Sequence, residues 1–227
     1  VLRGSPASVL PRRIVSGGQT GTDRGAIDAA LALGFPVGGW APEGWLAEDG
    51  QIPEPYRSCM VELRRDRDLG DDESPAPRTT ADIFRERTVE NIYDSDGTLI
   101  LSMGPKISGG SALTKREALR HRGGIVLHLP IAGDAQRADA PLAILAWIRE
   151  HRIGILNVAG PRESKEPGIQ ELSREVIDGV LRAARAAQGE ATLDVGLGAV
   201  DIRAGDDRVR DDDDSEGDDS PGESGQA

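Results

Sequence analysis

A single cysteine, Cys59, stands in a chain of 227 residues, so no disulfide framework is available and the sequence suits a reducing compartment, the cytoplasm. Histidine is almost as scarce. His121, His128 and His151 form no i, i+4 pair and have no cysteine nearby, and no protein-liganded metal is expected from them. Long apolar runs are missing too: residues 125–130, among the longest, have only the length of a strand, so no membrane span is expected. Residues 1–12 lack the apolar stretch of a signal peptide and read as a disordered leader. Basic residues are outnumbered 27 to 39, and a net charge of −12 leaves no footprint for nucleic acid. Aromatic residues make up only 3% of the chain, so any that fall near a candidate site carry weight.

What is abundant is acid, and it is concentrated at one end. Residues 205–227 hold eight Asp and two Glu against two Arg, which accounts for eight of the twelve excess negative charges. Such a stretch is too charged and too poor in apolar side chains to pack, and residues 189–227 are expected to form an acidic disordered tail. A hydrophobic fraction of 37% supports one substantial core in what remains.

Apolar, β-branched runs lie at residues 13–16, 35–40, 98–102, 125–128 and 153–158, and helix-period patterns at 23–33, 80–94, 111–121, 141–150 and 168–188. This alternation predicts an α/β fold over residues 13–188: a doubly wound, mainly parallel, five-stranded Rossmann-like sheet with helices on both faces. Gly34 and Gly123 mark helix ends, and Thr80 or Asp82 an N-cap. Residues 41–79 interrupt the rhythm with Pro, Gly and charge. A connection this long inside a compact domain predicts a lid, a binding loop or an interface element, with 64–77 as a mobile insertion.

In an open parallel sheet the ligand site lies at the carboxyl edge, where the strand order reverses, and three loops leave strands there. The first contains Gly17, Gly18, Gln19, Thr20, Gly21, Thr22, Asp23 and Arg24. Its glycines permit a tight turn, and its amides, at the start of a helix, offer a positive end to phosphate or another oxyanion. It lacks the Lys-Ser/Thr ending of an NTPase phosphate loop and the spacing of a dinucleotide motif. The second loop, 103–111 (MGPKISGGS), brings Gly104, Lys106, Ser108, Gly109, Gly110 and Ser111, with Thr114 one turn further on. The third, 159–165 (AGPRESK), brings Gly160, Pro161, Arg162, Glu163, Ser164 and Lys165.

If the strand order is that of flavodoxin, the loops after the first and third strands flank the reversal directly. Convergence of the three predicts a cradle of amides and hydroxyls, with Arg24, Lys106, Arg162 and Lys165 supplying charge. Plainer readings exist: Ser111 and Thr114 as helix-start residues, Arg162 and Lys165 as solvated charges. Trp40 and Trp45 can stack a purine or pterin, or fill a core or a dimer interface. Asp23 and Glu48 are weak catalytic candidates, with Asp49, Asp96 and Glu163 behind them, and no spacing singles out an acid–base pair. Cys59 has no evident activating base and reads as a packing residue.

Five segments taken together, 16–26 (SGGQTGTDRGA), 38–44 (GGWAPEG), 47–53 (AEDGQIP), 95–100 (SDGTLI) and 156–164 (LNVAGPRES), resemble the putative molybdenum carrier family. That family is a circularly permuted branch of the Rossmann-like superfamily containing lysine-decarboxylase-like and cytokinin-activating proteins, and the resemblance covers about residues 13–188. It implies a homo-oligomeric α/β domain that binds molybdenum cofactor or a nucleotide-like ligand at its glycine loops, with molybdoenzymes as recipients. Related phosphoribohydrolases carry a catalytic glutamate in their glycine-rich motif, and residues 16–25 contain none.

Three functions of different class are therefore open. One is a carrier that stores or transfers molybdenum cofactor or a related phosphorylated heterocycle. Another is a nucleotide-binding sensor or a nucleotide N-glycosidic hydrolase, with Asp23 or Glu48 as base. The third is a purely structural or interaction role.

Overall fold

The computed structural model describes residues 11–64, 79–121 and 123–197, the last nine of these as backbone alone. The expected leader up to residue 10, the insertion at 65–77 and the tail beyond 197 lie outside the described residues. From the start of the described chain, β1 (Arg13–Val15) passes through α1 (Thr22–Ala32) to β2 (Val37–Gly38). A run of short elements comes next: β3 (Trp40–Ala41), β4 (Leu46–Ala47), β5 (Gly50–Gln51), α2 (Glu54–Arg57) and β6 (Val61–Glu62). The chain then continues as α3 (Thr80–Tyr93), β7 (Gly97–Ser102), α4 (Gly109–Arg120), β8 (Val126–Pro130), α5 (Asp134–His151), β9 (Ile155–Ala159) and α6 (Ile169–Leu197).

Five strands form one parallel sheet in the order β2-β1-β9-β7-β8. The flavodoxin order is thus corrected: the last strand, not the third, lies beside the first. Burial explains the placement. All six residues of β7 and four of five in β9 are buried, as befits strands paired on both sides, whereas β8 is half-buried throughout and takes an edge. Crossovers in parallel sheets are right-handed. The chain moves outward through α4 and back through α5, so these two helices cover opposite faces. α6 packs against α1 and α5 on one side, and α3 against α4 on the other. The main core joins Ile14, Leu99, Leu101, Leu156 and Val158 of the sheet to Ile144, Ile148, Val176, Ile177, Val180 and Leu181 of α5 and α6.

Several boundaries differ from the pattern in the sequence. The N-cap of α3 is Thr79, whose hydroxyl accepts from the Asp82 amide at 3.2 Å while the Asp82 carboxylate accepts from the Thr79 amide at 2.9 Å. α6 runs on to Leu197, past Gln188, with Gly189 inside it and no proline to break it. α5 starts at Asp134 rather than at Pro141, and the proline sits inside it. Its ring packs against α6 at Gly179, where an added Cβ would fall 2.8 Å from the Pro141 Cγ. Gly179→Val is accordingly expected to lower stability by about 1–3 kcal/mol through overpacking of this helix crossing, measured as an earlier thermal unfolding midpoint.

The described part of residues 41–79 is not a bare loop. β3 pairs with β6 and β4 with β5, and Ala41, Ile52 and Met60 bury themselves against Ile27 of α1, with Trp45, Tyr56 and Cys59 packed around them. These elements form a small cap with its own core, seated on α1. No helix among the described residues is long and apolar enough to cross a membrane.

Candidate functional site

The loops after β1, β7 and β9 do meet at the carboxyl edge, and with α3 they enclose a cleft of about 370 Å³. Gln19 and Asp23 reach it from the first loop, Ser108, Gly109, Gly110, Ser111 and Thr114 from the start of α4, and Gly160, Pro161, Arg162 and Lys165 from the third loop. The fourth wall was not expected. Ala81, Phe84, Arg85 and Thr88 of α3 line the cleft at helical spacing i, i+3, i+4 and i+7, and Arg87 lies beside them. Leu113 and Glu166 also line it. The signal in the sequence was a helix with an aromatic and an arginine on one stripe and a second arginine beside it, a poor fit to a core face.

The first loop holds its own anion. The Gln19 amide donates to the Asp23 carboxylate at 3.3 Å, the Gly17 amide also donates to it, and the Arg87 guanidinium lies 3.2 Å away. Burial pushes the Asp23 carboxyl above its ordinary range, against the opposing pull of Arg87 and of these amides. Three further amides of the loop are engaged as well: Thr20 donates to Gln19 Oε1 at 3.0 Å, Gly21 to Gln170 Oε1 at 3.4 Å, and Thr22 to the Pro161 carbonyl at 3.2 Å. The socket expected at residues 17–22 is therefore turned inward. Its glycines serve close approach between chains: a Cβ on Gly21, whose φ is 80°, would fall 2.4 Å from the Pro161 carbonyl, and one on Gly17 would fall 1.7 Å from the Arg87 guanidinium.

The remaining expected residues divide clearly. Arg24 points away from the cleft, making a two-pronged pair with Asp49 at 2.6 and 2.9 Å and donating to the Gly18 carbonyl at 3.2 Å. Gly18 lies against Ile52 and Met60 of the cap. Trp40 is not a wall of the cleft. Its indole donates to Asp94 at 2.5 Å and its amide to Asn91 at 2.8 Å, because β3 is paired with β6 beneath α3. Trp45 lies under Arg57, 5.4 Å from its guanidinium carbon. Gly104 and Lys106 stay outside the lining, and Glu163 caps α6, accepting from the amides of Gly168 at 2.5 Å and Gln170 at 3.0 Å. Asp96 is likewise structural, accepting from the amides of Gly154 at 3.0 Å and Ile155 at 2.8 Å.

Glu48 is a tie rather than a base. Its carboxylate accepts from the hydroxyls of Thr20 and Ser164 and, at 3.1 Å, from the Ser164 amide, so it fastens the cap to the third loop outside the cleft. Partial burial pushes its carboxyl up, but the bonds from Ser164 and Thr20 together with Arg162 outweigh this and hold it below its ordinary value of 4.5. A folded-state value below the unfolded one contributes stability above the ordinary carboxylate range, and that contribution is lost as pH falls. Glu48→Gln should therefore unfold earlier than the parent protein at pH 7, and the gap in melting temperature should shrink on acidification below about pH 4.

Within the cleft, donors are concentrated at two places. At the mouth, α4 opens with Ser108 making no side-chain cap, so the amides of its first turn lack intrahelical partners. A Cβ on Gly109 or Gly110 would meet none of the described residues within 4 Å. Arg162 stands over the Phe84 ring at 5.0 Å, and Lys165 and Arg85 complete a cationic rim. At the inner end, the Gln19 side chain is 5% exposed, and its Oε1 accepts from two main-chain amides, those of Thr20 and Glu48. Its Nε2, like Nε of Arg87, is buried without a hydrogen-bond partner among the described residues.

Comparison with known proteins agrees with this architecture. The model of the circularly permutated YpsA SLOG family matches residues 14–181. Among solved structures, the chain is similar to that of a protein named Putative molybdenum carrier protein from Syntrophus aciditrophicus SB, with 37% identity, 75% of this chain and 95% of the other covered, and a TM-score of 0.62. None of the curated proteins matches. On the extent of the family match and the identity with that structure, the chain belongs to the circularly permutated YpsA SLOG family.

Proposed function

We propose that this protein is a carrier that holds a phosphorylated heterocycle, molybdenum cofactor or a close relative, in the cleft between α3 and α4 for storage or transfer. The observation that carries the reading is the start of α4. Amides without intrahelical partners, two glycines that leave the approach clear, and the flanking Arg162 and Lys165 suit a phosphate group. Phe84 supplies an apolar wall for a ring. The resemblance to a protein named Putative molybdenum carrier protein supports a molybdenum-bearing cargo. In that case the bound compound brings its own metal centre, and this chain contributes phosphate binding, ring contacts and exclusion of water.

A second reading is favoured by one observation: a buried carboxyl, Asp23, with a raised pKa at the inner end of the cleft suits acid–base cleavage of a nucleotide. The two are separated by one experiment. Denaturing the purified full chain and identifying released small molecules by mass spectrometry should yield a phosphorylated pterin or nucleotide. Incubation with nucleoside monophosphates and ADP-ribose should release no free base. Release of base would replace the carrier by the hydrolase, and failure to bind any phosphorylated heterocycle in calorimetry would remove both.

A further inference from the structure

Building on the reading of the cleft as a phosphate-binding site, we infer that Glu48, outside the cleft, is a positioning residue for the phosphate: by holding Ser164 it fixes the turn that brings Arg162 and Lys165 to the cleft wall. The turn spans residues 162–166 and is closed by the Arg162 carbonyl, which accepts from the amides of Lys165 at 3.0 Å and Glu166 at 3.1 Å. Both cations that line the cleft from this loop therefore belong to one turn, and Ser164 lies between them. The two ends of the turn are fastened elsewhere. The Pro161 carbonyl accepts from the Thr22 amide at 3.2 Å, and the Glu166 carboxylate accepts from the Met103 amide at 2.5 Å.

The apex depends on Glu48. Ser164 and Lys165 are exposed, so hydrogen bonds rather than apolar packing hold this part of the turn. Glu48 Oε1 accepts from the Ser164 amide at 3.1 Å and from the Thr20 hydroxyl, and Oε2 accepts from the Ser164 hydroxyl. The Thr20 oxygen in turn accepts from the Glu163 amide at 3.3 Å. The amides of Glu163 and Ser164 thus end on one carboxylate, directly or through one hydroxyl. Glu48 is itself held from the first loop, its amide donating to Gln19 Oε1 at 2.9 Å. A glutamine in its place has one acceptor oxygen instead of two and turns an NH2 toward groups that donate. With the tie broken, the turn must be ordered as the phosphate arrives, and affinity falls by the fraction of time in which the turn is formed. Charge alone predicts the opposite sign. Glu48 attracts Arg162, and removing an exposed, salt-screened carboxylate from beside an anion site strengthens binding by about twofold.

The test is calorimetry on the full chain at pH 7 with GMP and ribose 5-phosphate as probes. Glu48→Gln should bind both at least about threefold more weakly than the parent protein. Ser164→Ala removes one of the bonds and no charge, and should weaken binding by about twofold. The double variant should bind no more weakly than Glu48→Gln alone, because both changes break the same tie, whereas a general loosening of the fold would add the two losses. Equal or tighter binding by Glu48→Gln, or additive losses in the double variant, would overturn the positioning role while leaving the phosphate site intact. No binding of either probe by the parent protein would overturn the phosphate site as well. Should Glu48→Gln fail to fold, Ser164→Ala, a change at an exposed side chain, decides alone: unaltered affinity sinks the assignment.

Discussion

Arg87→Ala is expected to cost about 2–4 kcal/mol of folding stability at pH 7 and to weaken binding of a phosphorylated heterocycle. The side chains of Arg87 and Asp23 are 12% and 5% exposed and lie 3.2 Å apart, and removing one member of a buried pair leaves the other without compensation. The loss is smaller than for a fixed charge, because Asp23 already sits above its ordinary pKa through burial and can take up a proton. Removing the guanidinium raises that value further. A group whose folded-state pKa exceeds its unfolded one contributes stability below the unfolded value and loses it as pH rises through the folded one. The variant should therefore be least impaired in acid and most impaired above neutrality, opposite in direction to Glu48→Gln. Adding Asp23→Asn should restore part of the stability but none of the binding. Denaturant melts between pH 4 and 8 measure this, and a deficit independent of pH would show that Asp23 does not titrate with Arg87.

Gly25→Ala should destabilise the protein by about 2–4 kcal/mol, although the same change in an ordinary helix interior stabilises by roughly 0.5–1 kcal/mol. Gly25 lies within α1 where α6 crosses it, and an added Cβ would stand 2.2 Å from the Gln170 carbonyl and 3.1 Å from the Arg174 amide. Both obstacles are backbone, so relief requires moving one helix from the other. Gly34 gives the contrast. It has a φ of 59° and nothing within 4 Å of a Cβ, so Gly34→Asn should be close to neutral. Thermal unfolding of the two variants side by side checks the argument.

The five strands were legible because a parallel strand is buried on both faces and writes its apolar run plainly, as Leu99, Ile100 and Leu101 do in β7. Their order was not, since nothing local in residues 155–159 records which neighbours they pair with. Pro141 read as a helix start because a proline is welcome there, and only Gly179 on another helix explains why it sits inside α5. The meeting of three loops followed from a general rule about parallel sheets. The roles within them did not, because Asp23, Glu48 and Asp49 satisfy groups that the sequence offered to a ligand. Trp40 and Trp45 drew attention by their rarity, but the aromatic that faces the cleft is Phe84, on a helix whose orientation only tertiary packing determines.

The placement of β9 between β1 and β7 bears on how the protein is made. β1 and β7 bond to β9 and not to each other, so a nascent chain that has emerged only as far as α5 presents two strands with open backbone edges and an unfilled gap between them. Assembly awaits a segment late in synthesis, and its closing contacts span about 140 residues, the kind of long-range pairing that slows folding and exposes intermediates to aggregation. Chains cut short before residue 155 should accumulate on chaperones or in inclusion bodies, and release should require both β9 and the α6 residues, Val176 to Leu181, that complete the core.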